Sequence, residues 1–132
     1  MFSSFLKPKW QHNNPGIRKA AVDRLSASDD GDIEILSRIA REDPDTDVRC
    51  AAISRINSLE LLRSIAANDT SEMVLKTAYA QLSDVLMGKV QGSPSLADRI
   101  IVLKEIGSGR IAEAIIKDAE ELDLQVAAVD YV

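Results

Sequence analysis

Apolar residues return along this chain with the period of a helix, in short and similar bursts. After Pro44, the residues Val48, Ala51, Ala52 and Ile56 fall at i, i+3, i+4 and i+8, one stripe of a helical surface, and Ile53 widens it. The figure recurs. NNPGIRKAAVDRL from Asn13, DTDVRCAAISRI from Asp45 and TSEMVLKTAYAQL from Thr70 align so that Ile17, Val48 and Val74 are equivalent, as are Ala21, Ala52 and Ala78, at spacings of 31 and 26 residues. Between them lie DIEILSRIA and SLELLRSIA, which match at an offset of 26 through Ile35 and Leu61, Leu36 and Leu62, Ile39 and Ile65, and Ala40 and Ala66. The second half repeats the first at an offset of 50: Arg49 with Arg99, Ile53 with Leu103, Ile56 with Ile106, Ser58 with Ser108, Leu61 with Ile111, Ile65 with Ile115, Val74 with Leu124 and Ala78 with Ala128. A register held over so many positions marks an internal repeat, and the repeat limits the fold before anything else does.

Each unit reads as two antiparallel helices, with start and stop signals in the loops. Asn14–Pro15 and Asp43–Pro44 put a capping side chain before a proline at the first helical position. Ser58 and Ser108 suit the caps of second helices, and Ser71 or Thr70 the start of the third unit. Asp29 to Gly31, Gly88 and Gly107 are the stops. The pattern predicts helices at about 15–27, 31–41, 44–56, 58–67, 71–88, 95–106, 109–120 and from 123 onward. The one true loop is Gln91–Gly92–Ser93–Pro94, where the third unit has a long helix and no proper second one, so a bend is expected there.

Small alanines on the stripe let two backbones approach closely, but a two-helix unit cannot bury so wide a stripe within itself. It must pack on the units before and after it, which gives a quasi-one-dimensional stack. The run Asp, Pro, a spacer, then Val-Arg-x-Ala-Ala-x-x-x-Leu resembles a HEAT-like repeat: DPDTDVRCAAISRI matches it closely, NNPGIRKAAVDRL well and DLQVAAVDYV in part. Leu75, Gln125 and the Asp98–Arg99 pair depart from it. The resemblance covers roughly residues 13–132 and implies an all-α fold, a right-handed α-α superhelix (HEAT-like solenoid) of about eight helices in four to five repeats. It also implies that Arg18, Arg49 and Arg99, at equivalent positions, bridge to acidic residues of a neighbouring unit; the other reading, a ligand-binding row, is broken by Leu75 and Gln125. The opening FLKPKWQHNNPGIRKAAV is similar to the N-terminus of a bacterial family of long proteins with a downstream domain of unknown function, which implies that the chain is the amino-terminal part of a longer protein.

Domain organisation follows. Residues 1–12 form an N-terminal capping arm and residues 13–132 the repeat domain. Phe2, Phe5, Leu6 and Trp10 in the arm are expected to cover the open end of the first unit, the alternative being a docking arm for a partner or, more weakly, a membrane surface, helped by Lys7 and Lys9. The final DLQVAAVDYV begins a further unit and stops after one helix. The expectation is a domain truncated at its C-terminal end, with Val126, Val129 and Val132 partly uncovered and a route there to homo-oligomers.

Composition changes this picture little. The 132 residues are 45% apolar and 28% charged, an ordinary globular balance, while only 4% are aromatic, so the core is built from Ala, Leu, Ile and Val. No apolar run approaches the roughly 18 residues of a membrane span, so no membrane partner is expected. MFSSFLKPKW lacks the apolar stretch of a secretory signal, and Cys50, alone, forms no internal disulfide; together these point to the cytoplasm. Charge is uneven. Residues 1–24 carry Lys7, Lys9, Arg18, Lys19 and Arg24 against Asp23, a net +4, while the rest of the chain carries −9. The five cations are the candidate anionic contact.

No catalytic constellation stands out. His12 has no evident acid–base partner, Cys50 has no CxxC or His neighbour and falls roughly opposite the apolar stripe of its helix, and no spacing suggests a metal site, a phosphate loop or another cofactor. Asp29, Asp30 and Asp32 read as the acid-rich start of a helix. The leading expectation is a non-enzymatic, protein-interaction scaffold whose binding surface is lined by the second helices, with Glu34, Arg38, Arg41, Glu60, Arg63 and Glu113 as candidates and an unknown protein as partner. The alternative is a nucleic-acid-binding HEAT-like module using the basic N-terminal segment, which the acidic body disfavours. A bilin-lyase-type enzyme subunit resembles these repeats in fold alone.

Overall fold

The structure, a computed structural model, describes residues 7–132. The expected contacts of Phe2, Phe5 and Leu6 lie outside the described residues. A short 3-10 turn, Lys9–Gln11, leads into α1 (Pro15–Val22), α2 (Asp30–Glu42), α3 (Thr46–Ile53), α4 (Leu59–Asn68), α5 (Glu72–Leu86), α6 (Leu96–Ile106), α7 (Gly109–Asp118) and α8 (Leu122–Val129). The described residues are all-helical, with no strand. None of these helices is long and apolar enough to cross a membrane.

The loops set the boundaries through short polar side chains that satisfy the first free amides of each helix. Asn14 accepts from the Gly16 amide, with Pro15 at the first helical position. Ser58, Ser71, Ser95 and Ser108 accept from Leu61, Val74, Asp98 and Ile111. Gly107 closes α6 in the left-handed conformation at φ +60°, which a residue with a Cβ rarely adopts.

Three boundaries differ from the sequence reading. The first helix stops at Val22 instead of running to 27, because Ser26 and Ser28 bond to each other and the Ser26 amide donates to Asp32. Asp29 is the N-cap of α2, accepting from the Asp32 amide, where a helix stop was expected. Asp43 does not start α3: it is the C-terminal cap of α2, and Asp45 caps α3 by accepting from the Val48 amide. Two aspartates flank Pro44, and the end of the preceding helix decides which one caps.

Packing repeats along the chain. Second helices lie against the next first helix, α2 on α3, α4 on α5 and α7 on α8, while first helices stack as α1 on α3, α3 on α5 and α6 on α8. The core runs through these junctions. Leu36, Leu62, Leu82, Leu103 and Leu124 are buried to 2% exposure or less, and each such side chain contributes about 1.5–3 kcal/mol of transfer free energy. Ala52, Ala78 and Ala128 are fully buried, and Ala21 is half-buried. Between α5 and α6 the pattern breaks. α5 touches α6 and α7 only lightly, and the intervening loop folds back so that the Asn57 amide group donates to the Gln91 carbonyl at 3.3 Å. Tyr79 on α5 and Ile101 on α6, which would face each other in a regular junction, are 39% and 54% exposed.

Cys50 corrects its expected placement. It is half-buried, packs against the core and accepts a hydrogen bond at Sγ from Thr77 Oγ1 at 3.4 Å. α3 has neighbours on three sides, α1, α2 and α5, so the side of the helix opposite its main stripe is covered by α5.

Candidate functional site

The equivalent arginines do one job three times. Arg18 donates from Nε and Nη2 to the Asp43 carboxylate at 2.9 and 3.1 Å, and from Nη1 to the carbonyls of His12 and Asn13. Arg49 donates from Nε to Asp69 at 3.1 Å and from Nη1 to the Asp43 carbonyl at 2.8 Å. Arg99 pairs through both terminal nitrogens with Glu121 and reaches the Pro94 and Leu86 carbonyls from Nε and Nη1. Each guanidinium therefore ties the loop before its own helix to the loop before the next stacked helix. Its fork of fixed donors suits that geometry, which a lysine could not reproduce. The hydrogen bond from Arg18 to Asp43 holds the guanidinium's pKa above its ordinary value. The hydrogen bond from Arg99 holds the Glu121 carboxyl below its ordinary value.

The row is interrupted where the sequence departs from the repeat. At Leu75 no guanidinium exists to continue from Asp69. Gln125, the next equivalent, donates its amide to the Ile116 and Ala119 carbonyls instead. In the second half the acid also moves. The residue 50 beyond Asp69 is Ala119, so Arg99 takes Glu121, and α8 begins without the side-chain cap the other helices have. Gly88 makes room for this. It sits at φ +72°, and a Cβ there would come within 2.9 Å of Arg99 Nη1.

Asp43, Asp69 and Glu121 are the functional partners that sequence reasoning missed. A signal for the first two existed: Asp43 and Asp69 stand 26 residues apart, the offset that aligns their helices.

An open groove of about 800 Å³ lies between α2 and α4. Glu34, Arg38 and Arg41 line one wall and Glu60 the other, with Ile33 and Leu61 as apolar floor and Trp10 at one end. Four of the six candidate surface residues thus share one site. Trp10, expected in a cap or a docking arm, has the Arg38 guanidinium 5.7 Å from its ring centroid, within cation–π range. Two candidates are elsewhere. Arg63 is paired with Glu105 of α6 at 2.8 Å, and Glu113 is exposed on α7.

The five N-terminal cations are not gathered into one surface. Lys7, Lys9, Lys19 and Arg24 are exposed, but Arg18 is turned inward, its side chain 11% exposed against Asp43. His12 is exposed and accepts at Nδ1 from the Asn14 amide. Among the described residues no cluster of His, Cys, Asp or Glu is arranged to hold a metal ion. A scan against protein-family models, a search of curated proteins and a search of solved structures each find no match to the chain.

Proposed function

We propose that the chain is a HEAT-like repeat stack, a right-handed α-α superhelix, acting as a non-catalytic protein-interaction scaffold module of a larger cytoplasmic bacterial protein. The observation that carries this reading is the groove between α2 and α4. Second helices of successive units form its walls, it bears charges of both signs over an apolar floor, and a tryptophan stands at its end. Sites of that composition recognise protein segments, with the aromatic as anchor and the charges setting register. The repeated arginines support a structural role for themselves, because their donors are spent within the fold.

The test is retention of a protein from bacterial lysate by the isolated chain, beside the double variant Arg38→Glu, Arg41→Glu. A partner held by the wild type and lost by the variant, with circular dichroism unchanged, supports the groove. Retention of nothing above background across several salt conditions, or equal retention by both chains, removes it.

A further inference from the structure

The charges that line the groove between α2 and α4 divide into those already used within the fold and those left over. Arg38 is used: it pairs with Glu42 at 3.2 Å and lies over Trp10. Among the described residues, Asp30, Glu34 and Glu60 form no ion pair, and neither does Arg41, which reaches only the Ser37 carbonyl of its own helix at 3.3 Å. All four are exposed. The two walls of the groove touch each other, so no further unit of the stack can enter between them.

The leftover charges are sorted along the groove. Asp30 and Glu34 stand in the first half of α2 and Arg41 in its last turn. Glu60, in the first turn of α4, is the equivalent of Glu34, 26 residues on, and lines the opposite wall. The helix dipole accounts for an acid at Asp30 and at Glu60. Glu34 lies a turn further in, and two equivalent carboxylates lining one groove repel each other until a cation joins them. Ile33 and Leu61 give this part of the groove an apolar floor. The other end continues into a polar hollow of about 440 Å³, which Arg41 and Ser64 share and Asn68 and Thr70 extend. Arg49 and Asp69 also line that hollow, but they are spent on each other. Glu34 and Arg41 are seven residues apart, which along a helix is about 10 Å. An extended segment covers that distance in about three residues.

We infer, resting on the proposed function, that the groove takes an extended peptide segment of a partner protein with a basic and an acidic residue three positions apart and an apolar residue between them. The basic side chain lies between Glu34 and Glu60, with Asp30 beyond. The apolar one rests on Ile33 and Leu61, and the carboxylate meets Arg41 at the mouth of the polar hollow. A segment basic throughout would set a cation on Arg41, and one acidic throughout would set anions on Glu34 and Glu60, so like-charge contact rejects both. A nucleic-acid backbone, anionic along its length, is rejected by the same carboxylates.

The test is selection from a random dodecapeptide library displayed on phage, run against the immobilised 132-residue chain and three variants. The wild type is expected to enrich peptides with the basic, apolar and acidic pattern. The double variant Glu34→Gln, Glu60→Gln should lose the basic requirement and keep the acidic one, and Arg41→Gln should do the reverse. The double variant Glu72→Gln, Glu120→Gln changes the net charge as much as the first pair does, away from the groove, and should leave the pattern intact. All five side chains are exposed, so helical circular dichroism should be retained. Synthesised, the enriched peptides should bind each groove variant roughly twofold to fivefold more weakly than the wild type by fluorescence polarisation, as for an exposed ion pair. Enriched peptides that show no charge pattern, yet are lost with Arg38→Glu, Arg41→Glu, overturn this inference and leave the groove reading standing. A pattern that survives both groove variants, or that changes in the control pair, also overturns it. Failure to enrich any peptide above background overturns both readings. Self-association of the chain in sedimentation that disappears in Glu34→Gln, Glu60→Gln would give the groove to a second copy and overturn the inference as well.

Discussion

Removing Asp69 tests whether the arginine row holds the units together. In Asp69→Ala two interactions go: the charge-assisted bond from Arg49 Nε at 3.1 Å and the bond from the Ser71 amide to Oδ1 at 2.8 Å. Both end on the ionised carboxylate, and a hydrogen bond to a charged group contributes about 1.5–3 kcal/mol. Arg49 stays tethered to the Asp43 carbonyl, so it cannot swing out to water, and its side chain is only 15% exposed. Water reaches both partners slightly, so the penalty falls short of that for a fully buried ion pair, and the expected loss is about 2–4 kcal/mol. The structure supplies its own control. Arg38 and Glu42 form an i,i+4 pair at 3.2 Å with side chains 64% and 65% exposed, and Glu42→Ala should cost no more than about 0.5 kcal/mol. Asp69→Asn, which keeps an acceptor for the Ser71 amide, should fall between. Urea unfolding followed by circular dichroism measures all three, with an unchanged m-value showing that the denatured state is comparable. An Asp69→Ala effect no larger than that of Glu42→Ala would mean the pair is an ordinary surface contact, and the structural reading of the arginines would fail.

Other outcomes follow from single sites. Ala52→Leu should destabilise by about 1–3 kcal/mol through overpacking at a fully buried position; Cys50→Leu, half-buried against Thr77, should cost less but measurably, and urea midpoints showing no effect at Cys50 would contradict its contact with α5. Arg38→Ala uncovers one face of Trp10, so its emission should shift red and acrylamide quenching rise, and an unchanged spectrum would place the ring elsewhere. Glu121, held below its ordinary value of 4.5 by Arg99, stabilises the fold above that pH. That contribution should disappear as pH falls from 4.5 through the lowered folded value, and Glu121→Gln should remove this part of the acid dependence. Identical acid profiles for Glu121→Gln and wild type would refute the pairing.

The helices were legible because their signals are local. A serine at 58, 71 or 108 caps whatever helix follows it, and a glycine at 107 ends one, through contacts reaching no more than a turn. The buried alanines were legible for a related reason: repeated stripes can be superimposed and the small residue found at the same point of each. The candidate groove was partly legible, since helix order alone put Glu34, Arg38, Arg41 and Glu60 on second helices. It did not show that Arg63 reaches across to Glu105, because that depends on where α6 lies after a loop whose course is not periodic.

By itself, then, the sequence determined the helical elements, the caps at Asn14, Ser58, Ser71 and Ser108, and the repeat that sets equivalent positions. Only the tertiary structure decided how those positions are used. Asp43 became an ion partner of Arg18 instead of a helix start, Cys50 a contact of α5 instead of an outward residue, and Glu121 a substitute for an acid missing at position 119. The physical reason is one of range. Capping and amphipathic period act within a few residues of chain, whereas an arginine's partner is whichever carboxylate the packed helices bring within 3 Å or so, and that distance is set by side-chain volumes summed over the whole core.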